Sequence, residues 1–341
     1  IGARGGNGVG VVGVNWNVSI MAVKFLDANG SGSSVDEYRA LKYIIANKPD
    51  VVNGSYGGGA PSKLIASILD DARSKGILFV FAAGNESSDN DLMPAFPASY
   101  PHDNIISVAA TDSRDQIADF SNYGRTTVDI AAPGENIMST IPLKKAREGG
   151  PYAAFSCTSM ATPHVVGAVA LLLAAEPGLR GKPAAIAQRL MSTAQFKPHL
   201  SALVASGGRL NVANAINNVT TQNPSVGGQW TSLNYAVSTP QYAREKIDNS
   251  WKITVPGAKA IRVHIAFAEV DDGFDESRLY DAEFRPVMNL KGHIAGEWSP
   301  IILGETAYLK FSNALVSIDG GEPFANFNSG GVQIDRVEYM K

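Results

Sequence analysis

The first two thirds of the chain alternate short apolar strand patterns with helix patterns, and this alternation constrains the fold most. Ile77 to Ala82 is apolar throughout, which is typical of a central strand in a parallel sheet buried on both faces. It follows a helix pattern over Lys63 to Lys75 that Gly76 ends. Val51 to Asn53 and Ile105 to Ala109 are further strand patterns. The order predicts an α/β domain with a doubly wound parallel sheet.

The same alternation extends towards both ends of this region. A helix is predicted over Val35 to Asn47, with Asp36 and Glu37 in its first turn. Further strands are predicted at Val11 to Val14, Ile20 to Phe25 and Val128 to Ile130. We assign residues 1–217 to this domain.

The pattern changes after residue 217. Residues 218–230 are polar and rich in turn formers, which predicts a linker. Beyond the linker, short segments alternate apolar and polar residues: Trp251 to Val255, Ile261 to Ile265, Ala307 to Phe311 and Val332 to Tyr339. Short alternating strands with turns between them predict an all-β sandwich over residues 231–341.

Composition excludes several classes of function. The formal net charge of −3 comes with no basic stripe, which argues against a nucleic-acid partner. The single cysteine, Cys157, excludes an internal disulfide. No apolar run reaches the ~20 residues that a membrane span requires. A hydrophobic fraction of 45% with 18% charged residues is typical of a well-packed globular protein rather than a disordered one.

Ser159 occupies the most informative position in the chain. It lies between a turn and a long apolar run, Val165 to Ala175, which predicts a buried helix. At a helix start, unpaired backbone N–H groups and the positive end of the helix dipole can stabilise a developing oxyanion. Ser159 is therefore a candidate nucleophile. The alternative is that Ser159 only caps the helix.

Several motifs around Ser159 resemble those of the subtilisin-like serine proteases (the subtilase family, peptidase S8). The segment Thr158 to His164 resembles the family's nucleophile segment, and Phe81 to Asn85 resembles its oxyanion-hole segment. The other matching segments are Ile20 to Leu26 with Asn29 to Gly32, Asp50 to Gly58, Ala131 to Gly134, and Gly208 to Val212. These segments keep the family's order across the first domain.

The resemblance implies a serine endopeptidase that acts on polypeptides through an acyl-enzyme on Ser159, with no cofactor for the catalysis. Asn85 would be the side-chain donor of the oxyanion hole; the alternative is an ordinary turn residue. The implied substrate-binding residues, which would pair with an extended substrate or line its pocket, are Gly30, Ser31, Gly32, Ser55, Tyr56, Gly57, Ala82, Ala83 and Gly84. The alternative for the first six of these residues is ordinary loops.

The histidine and aspartate of a catalytic triad are missing from the motifs. The family places its catalytic histidine in a His-Gly-Thr-His segment, and none of the five histidines here is followed by Gly-Thr-His. Ile1-Gly2-Ala3 resembles residues that follow that segment, so we expect a truncation after it, with the triad Asp and His upstream of Ile1 and this chain inactive alone. The alternative is a catalytically dead, subtilase-fold binding protein.

Cys157 departs from the family, which usually has glycine two residues before the nucleophile. A side chain there is expected to strain the turn or crowd the catalytic histidine. The loop Arg4 to Gly10 resembles a calcium-binding loop of the family, although a plain turn is the alternative.

In the second domain the segments Trp251 to Ala258, Asp271 to Asp281 and Phe311 to Asn313 resemble a CUB-like module of the kind found in some secreted proteases. This resemblance implies a secreted or extracellular protein and a protein or surface ligand for the module. It also implies a structural calcium ion at Asp271, Asp275 and Asn313, for which the alternative is a solvated acidic loop.

Overall fold

The computed structural model describes most of the chain in two compact units. The described residues are 1–142, 150–220, 230–240, 247–270, 276–284, 286–290, 292–299, 301–312, 315–316, 324–325 and 330–341. The first unit comprises Ile1–Lys197 and Leu203–Gln222, and the second comprises Pro198–Ala202 and Asn223–Lys341.

The first unit alternates helices and strands as predicted. Its helices are α1 (Ser34–Asn47), α2 (Lys63–Ser74), α3 (Thr158–Ala175), α4 (Pro183–Thr193) and α5 (Val212–Asn217). Its strands are β1 (Val51–Gly54), β2 (Leu78–Ala82), β3 (Ile105–Thr111), β4 (Ile130–Pro133), β5 (Ile137–Thr140), β6 (Tyr152–Phe155), β7 (Gln195–Phe196) and β8 (Gly208–Arg209).

Six of these strands form one mainly parallel sheet in the order β1-β2-β3-β4-β8-β7. Strands β1 to β4 pair in parallel, as does β8 with β4, and only β7 is antiparallel to its neighbour. The prediction of an α/β unit with a parallel sheet is confirmed. β5 and β6 form a separate antiparallel pair, which the sequence patterns did not predict.

Helices cover both faces of this sheet, which explains why β2 is apolar throughout. Leu78 and Val80 belong to a core cluster that includes residues of α3 and α4. Phe79 and Phe81 belong to a second cluster, with residues of α1 and α2. Successive side chains of a strand point to opposite faces, so each face receives half of β2.

The helix boundaries follow from capping. The Ser33 hydroxyl accepts a hydrogen bond from the backbone N–H of Asp36 at the start of α1, and Ser62 does the same for Ile65 in α2. Gly76, two residues after the end of α2, has φ +72°, a left-handed conformation that favours glycine.

Helix α3 is the apolar centre of the first unit. By length and composition it is the one helix of the described part of the chain that is apolar enough to cross a membrane, but 56% of it is buried inside the protein. Core helices of soluble proteins satisfy the same criteria, so this is weak support for a membrane span.

The predicted strands at residues 11–14 and 20–25 are absent, and this is the main difference from the sequence-based expectation. Neither segment forms regular structure. In the described chain, residues 18–26 make no backbone-to-backbone hydrogen bond. The apolar pattern is present, but a strand requires a partner backbone, and β1 already ends the sheet on this side.

A cavity of about 750 Å³ runs along the free edge of β1. Its four walls are residues 50–53 at the β1 edge, residues 18–23 opposite, the Leu41 and Ile44 side of α1, and the Val166 and Leu173 side of α3. The volume is enough for roughly five residues of an extended strand at the usual strand and layer spacings.

The second unit consists mainly of antiparallel strands. Its strands are β9 (Thr231–Ser238), β10 (Asp248–Thr254), β11 (Ala260–Val270), β12 (Glu276–Tyr280), β13 (Pro286–Asn289), β14 (Gly292–Trp298), β15 (Ile302–Leu303), β16 (Thr306–Ser312), β17 (Leu315–Val316), β18 (Phe324–Ala325) and β19 (Gly331–Met340). One sheet has the order β10-β16-β12-β13 and another β14-β11-β19-β9, with β15 beside β11. Both sheets contribute residues to one hydrophobic cluster. The β-rich character is therefore confirmed, while the sandwich and its CUB-like identity stay predictions.

Arg262 on β11 packs against two tryptophan rings in the sheet β14-β11-β19-β9. The Arg262 guanidinium lies 4.8 Å from the ring centroid of Trp230 and 4.9 Å from that of Trp298. Arg262 also forms an ion pair with Glu338 on β19. Because the guanidinium is already engaged in these contacts, we interpret Arg262 as a residue that stabilises the sheet.

The predicted linker, residues 218–230, lies mostly outside the described residues. The domain boundaries at 217 and 231 therefore stay predictions.

Candidate functional site

The N-terminus of α3 places Ser159 at the second position of the helix. Cys157, not Ser159, occupies the capping position, with an extended backbone at φ −176° and ψ 154°. The alternative that Ser159 caps the helix is therefore wrong. The expected strain at Cys157 is also wrong, because any residue adopts an extended backbone without strain.

The Ser159 hydroxyl lies between two neighbours. The Cys157 thiol donates to Ser159 Oγ at 3.2 Å, and Ser159 Oγ donates to the carbonyl oxygen of Ser55 at 3.4 Å. The Ser55 hydroxyl donates in turn to the Ser159 carbonyl at 2.9 Å. Ser159 is half-buried, and these contacts fix it against the end of β1.

Asn85 is held against the same helix start. Its Oδ1 accepts hydrogen bonds from the backbone N–H of Thr158 at 2.8 Å and from the Thr158 hydroxyl at 2.9 Å. Because the amide oxygen binds Thr158, the amide NH₂ group points away from it. Asn85 itself is exposed. The Thr158 N–H is bound to Asn85 and the Met160 N–H to the Cys157 carbonyl, so the Asn85 NH₂ group and the Ser159 backbone N–H are the donors that can serve one oxyanion.

A buried polar network supports the loop that carries Asn85. Asn122 Oδ1 accepts hydrogen bonds from the backbone N–H groups of Glu86 and Ser88 at 2.8 and 3.0 Å. Its Nδ2 donates to the Ala83 carbonyl and to Glu86 Oε2. The Glu86 carboxylate also accepts from the Asn85 backbone N–H at 2.9 Å.

Gly84 is required at this position. Its φ is +116°, and a Cβ there would lie 2.3 Å from Asn122 Nδ2. The sequence patterns missed Asn122, because nothing local marks a residue that acts on a loop some 36 positions away.

A cavity of about 460 Å³ opens beside Ser159. The predicted pocket residues Ala82, Ala83 and Gly84 line it, together with Tyr56 and Gly57. The part of the pocket that the sequence did not reveal is formed by Glu86, Ser88, Met93, Pro94, Ala95, Phe96 and Asn122. Ser55, which contacts Ser159 directly, is not among the lining residues.

Gly30, Ser31 and Gly32 lie outside this cavity in an exposed turn. The Asp27 carboxylate closes the turn by accepting from the backbone N–H of Ser31 at 2.9 Å. The ring of Phe25, just before the turn, packs edge-on against Tyr56 with the centroids 4.8 Å apart. Phe25 thus connects the turn to Tyr56, one of the predicted substrate-binding residues, although residues 30–32 do not line the cavity.

None of the five histidines, all of which lie in described segments, forms a hydrogen bond with Ser159. His164 Nδ1 contacts the Met160 carbonyl one helical turn before it, and burial lowers the pKa of His164. His102 pairs with Asp70 instead. His199, His264 and His293 belong to the second unit or to the segment grouped with it.

The described residues contain no group of three or more His, Cys, Asp or Glu side chains that could hold a metal ion. Asp271, Asp275 and Asn313 lie outside the described residues. The loop of residues 4–10 is mostly exposed, with the Asn7 side chain accepting from the Val9 backbone N–H. Calcium therefore stays a prediction.

Comparisons with known proteins point to one family of peptidases. The family model described as the Subtilase family (peptidase S8) matches residues 1–234. Subtilisin amylosacchariticus of Bacillus subtilis subsp. amylosacchariticus is 42% identical over 191 residues, which is 56% of this chain and 47% of that protein. Subtilisin of Bacillus pumilus is 41% identical over 191 residues, 56% of this chain and 66% of that protein.

The alkaline protease of Alkalihalobacillus alcalophilus is 37% identical over 206 residues, which is 60% of this chain and 48% of that protein. Most of these matches span about half of the relative's length.

Proposed function

This chain belongs to the subtilase family of peptidases, and we propose that it is part of a serine endopeptidase in which Ser159 is the nucleophile. The observation that carries the proposal is the arrangement at the start of α3. The Asn85 amide oxygen is fixed to Thr158, directly before Ser159. This leaves the Asn85 amide NH₂ group and the Ser159 backbone N–H available for a substrate carbonyl oxygen.

In the proposed reaction, Ser159 Oγ attacks the carbonyl carbon of a peptide bond while a histidine base takes its proton. The negative charge that develops on the carbonyl oxygen is stabilised by the Asn85 amide and the Ser159 backbone N–H. The amine leaves with a proton from the same histidine, and water hydrolyses the acyl-enzyme. The base and its aspartate come from a segment upstream of Ile1.

The cavity along the β1 edge supports the proposal of an upstream segment. An edge strand presents a row of unpaired N–H and C=O groups that can pair with a further strand, and the β1 edge faces about 750 Å³ of open volume. Ile20 is 68% exposed and Met21 40% exposed beside it. One strand placed there would pair with β1 and cover these apolar side chains.

The proposed substrate is an unfolded stretch of polypeptide. The cavity beside Ser159 has apolar walls in Ala82, Met93 and Phe96, which suit a large apolar side chain. We further propose a secreted or extracellular enzyme whose second unit is a CUB-like module that binds a protein or surface ligand. Calcium in that module, at Asp271, Asp275 and Asn313, belongs to the same proposal.

A catalytically dead binding protein is the second candidate. Two observations favour it: none of the five histidines, which all lie in described segments, forms a hydrogen bond with Ser159, and the Cys157 thiol donates to Ser159 Oγ at 3.2 Å. Such a protein would keep the groove and bind peptides without cleaving them.

The gene sequence upstream of Ile1 and a fluorophosphonate probe separate these candidates. We expect an in-frame Asp and a His-Gly-Thr-His segment upstream. When that segment is co-expressed with the chain, the probe should label Ser159 rapidly, and the Ser159→Ala variant should not be labelled. An upstream sequence without these residues, or a chain that stays unlabelled with its upstream segment present, would favour the binding protein.

A further inference from the structure

Asn122 is a buried residue that binds the loop carrying Asn85 from several directions. It lies between β3 and β4 and is 2% exposed. Its side-chain Oδ1 accepts from two backbone N–H groups of the loop, those of Glu86 and Ser88. Its own backbone N–H donates to the Gly84 carbonyl at 3.0 Å. One residue therefore holds the loop backbone on both sides of Asn85.

A second buried asparagine completes this attachment. Asn122 Nδ2 lies 3.0 Å from Asn90 Oδ1 and 3.2 Å from the Ala83 carbonyl oxygen. Asn90 is fully buried, and its own Nδ2 donates to the same Ala83 carbonyl at 2.8 Å. The two asparagines thus fix both ends of residues 83–90. A buried side-chain network takes the place that a strand or helix ladder has elsewhere in the unit.

Asn85 depends on this attachment for the direction of its amide group. It is exposed, and the preceding residue, Gly84, has φ +116°, so neither packing nor a restricted backbone fixes Asn85. Its Oδ1 is bound to Thr158, which leaves the loop backbone as the second anchor. An oxyanion hole requires its donors at about 2.7–3.1 Å from the oxygen, and a displacement of about 1 Å can lower a rate by about 10²-fold.

We propose that Asn122 is a positioning residue for the reaction at Ser159, which holds the Asn85 amide NH₂ group at the substrate carbonyl oxygen. This inference rests on the proposed function, because it requires Asn85 to be the oxyanion donor. No hydrogen bond of the described chain joins Asn122 to the Asn85 side chain, so its effect passes through the loop backbone. A residue that only stabilises the fold would change the free energy of unfolding and leave the kcat of the folded enzyme unchanged.

Hydrogen exchange in the 1–341 chain tests the attachment first without any substitution. The backbone N–H groups of Glu86 and Ser88 should exchange at least about ten-fold more slowly than in an unstructured peptide, because both are bound to Asn122 Oδ1. Asn122→Ala should remove this protection. It should also speed exchange at the Thr158 N–H, which is bound to Asn85. Nuclear magnetic resonance of the ¹⁵N-labelled chain measures each group separately.

Asn104→Ala is the matched control for Asn122→Ala. Asn104 is also fully buried, and its Nδ2 donates to the Ile77 carbonyl at 3.1 Å, before β2 rather than after it. Each substitution removes a buried amide, so both should lower the free energy of unfolding. Only Asn122→Ala should speed exchange in the Asn85 loop.

Enzyme kinetics test whether Asn122 acts through Asn85. In the enzyme that carries the upstream segment, Asn122→Ala should lower kcat for a peptide ester by about 10–10²-fold with little change in KM, while Asn104→Ala should leave both constants within about two-fold. In an Asn85→Ala background, Asn122→Ala should cause no further loss of kcat, because the group that it positions is already absent.

The outcomes separate this inference from the function it rests on. If the Glu86 and Ser88 N–H groups exchange as in an unstructured peptide, the positioning role is wrong, whether or not the enzyme is active. The role is also wrong if Asn122→Ala lowers kcat by the same factor with and without Asn85, or if Asn104→Ala lowers it equally. A wild-type enzyme that carries its upstream segment and hydrolyses no ester would overturn the proposed function, and the positioning role with it.

Discussion

The two sides of the first unit differ in how completely their backbone and side chains are paired. On the side of Ser159, helix α3, the Asn85 loop and the Asn122 network are tied by hydrogen bonds of normal length. On the side of β1, the sheet ends at a free edge, and residues 18–26 have no backbone partner within the described chain. In terms of the proposed function, the residues proposed for the oxyanion hole are held in place, while the β1 edge, where the proposed upstream segment would lie, is unpaired within the described chain.

The largest effect is expected at the oxyanion side. In an enzyme that carries the upstream segment, Asn85→Ala should lower kcat by about 10²–10³-fold, the loss associated with the side-chain oxyanion donor of subtilisin itself rather than a value derived for this chain. KM should change little, because the donor acts mainly on the transition state. Steady-state hydrolysis of a peptide ester measures both constants. A loss confined to KM would contradict the oxyanion role.

The second prediction compares packing on the two sides. Leu172 in α3 is fully buried, and Leu172→Ala should lower the free energy of unfolding of the first unit by about 3 kcal/mol. Ile20 is 68% exposed, and Ile20→Ala should change it by about 0.5 kcal/mol or less. Urea denaturation followed by circular dichroism measures both. With the upstream segment bound, Ile20→Ala should lower the free energy of unfolding by more than it does in the chain alone. If Leu172→Ala and Ile20→Ala lower it equally in the chain alone, the two sides of the unit do not differ in packing.

The third prediction concerns Asp129, just before β4 at the opposite end of the strands from Ser159. Burial raises the pKa of Asp129 to about 6, although its carboxylate accepts from the Ser107 backbone N–H at 2.7 Å. A raised pKa means that the folded state prefers the protonated acid. The stability from Asp129 is therefore complete below pH 3.8 and is lost as the pH rises through about 6.

Asp129→Asn has no charge to desolvate and keeps an acceptor for Ser107. Its free energy of unfolding, relative to the wild type, should therefore increase between pH 4 and pH 7, by on the order of 2 kcal/mol, and stay level above pH 7. Taking the difference cancels the carboxylates whose pKa is lowered, such as Asp91 and Asp103. A difference that does not vary with pH would contradict the raised pKa.

The smallest effect is expected at Tyr56, which lines both the cavity along β1 and the cavity beside Ser159. Tyr56→Phe leaves the half-buried Glu37 carboxylate without its hydroxyl donor, and should cost about 1 kcal/mol of stability. Tyr43→Phe is the matched control. Tyr43 lies on α1, the helix that carries Glu37, and is 54% exposed, so the loss of its hydroxyl should change stability very little. Thermal unfolding of the two variants in parallel measures the difference. Equal changes in stability for Tyr56→Phe and Tyr43→Phe would mean that the hydrogen bond from the Tyr56 hydroxyl to Glu37 does not stabilise the fold.

The amino-acid sequence by itself determined helices α1 to α3 and strands β1 to β4 of the first unit, and the position of Ser159 at the start of α3. The apolar run of β2, the capping serines and the long apolar stretch of α3 are local signals, because strand and helix periods are read from neighbouring residues. The motifs at Ser159 and Asn85 are equally local.

Only the tertiary structure decided how distant residues meet. The Ser55–Ser159 contact joins residues 104 positions apart, and the Asn122 network acts on a loop some 36 positions away. The same holds for residues 20–25, whose apolar pattern predicted a strand that has no partner here. A strand, a pocket and a paired carboxylate each require a second segment, and no local pattern specifies where that segment lies.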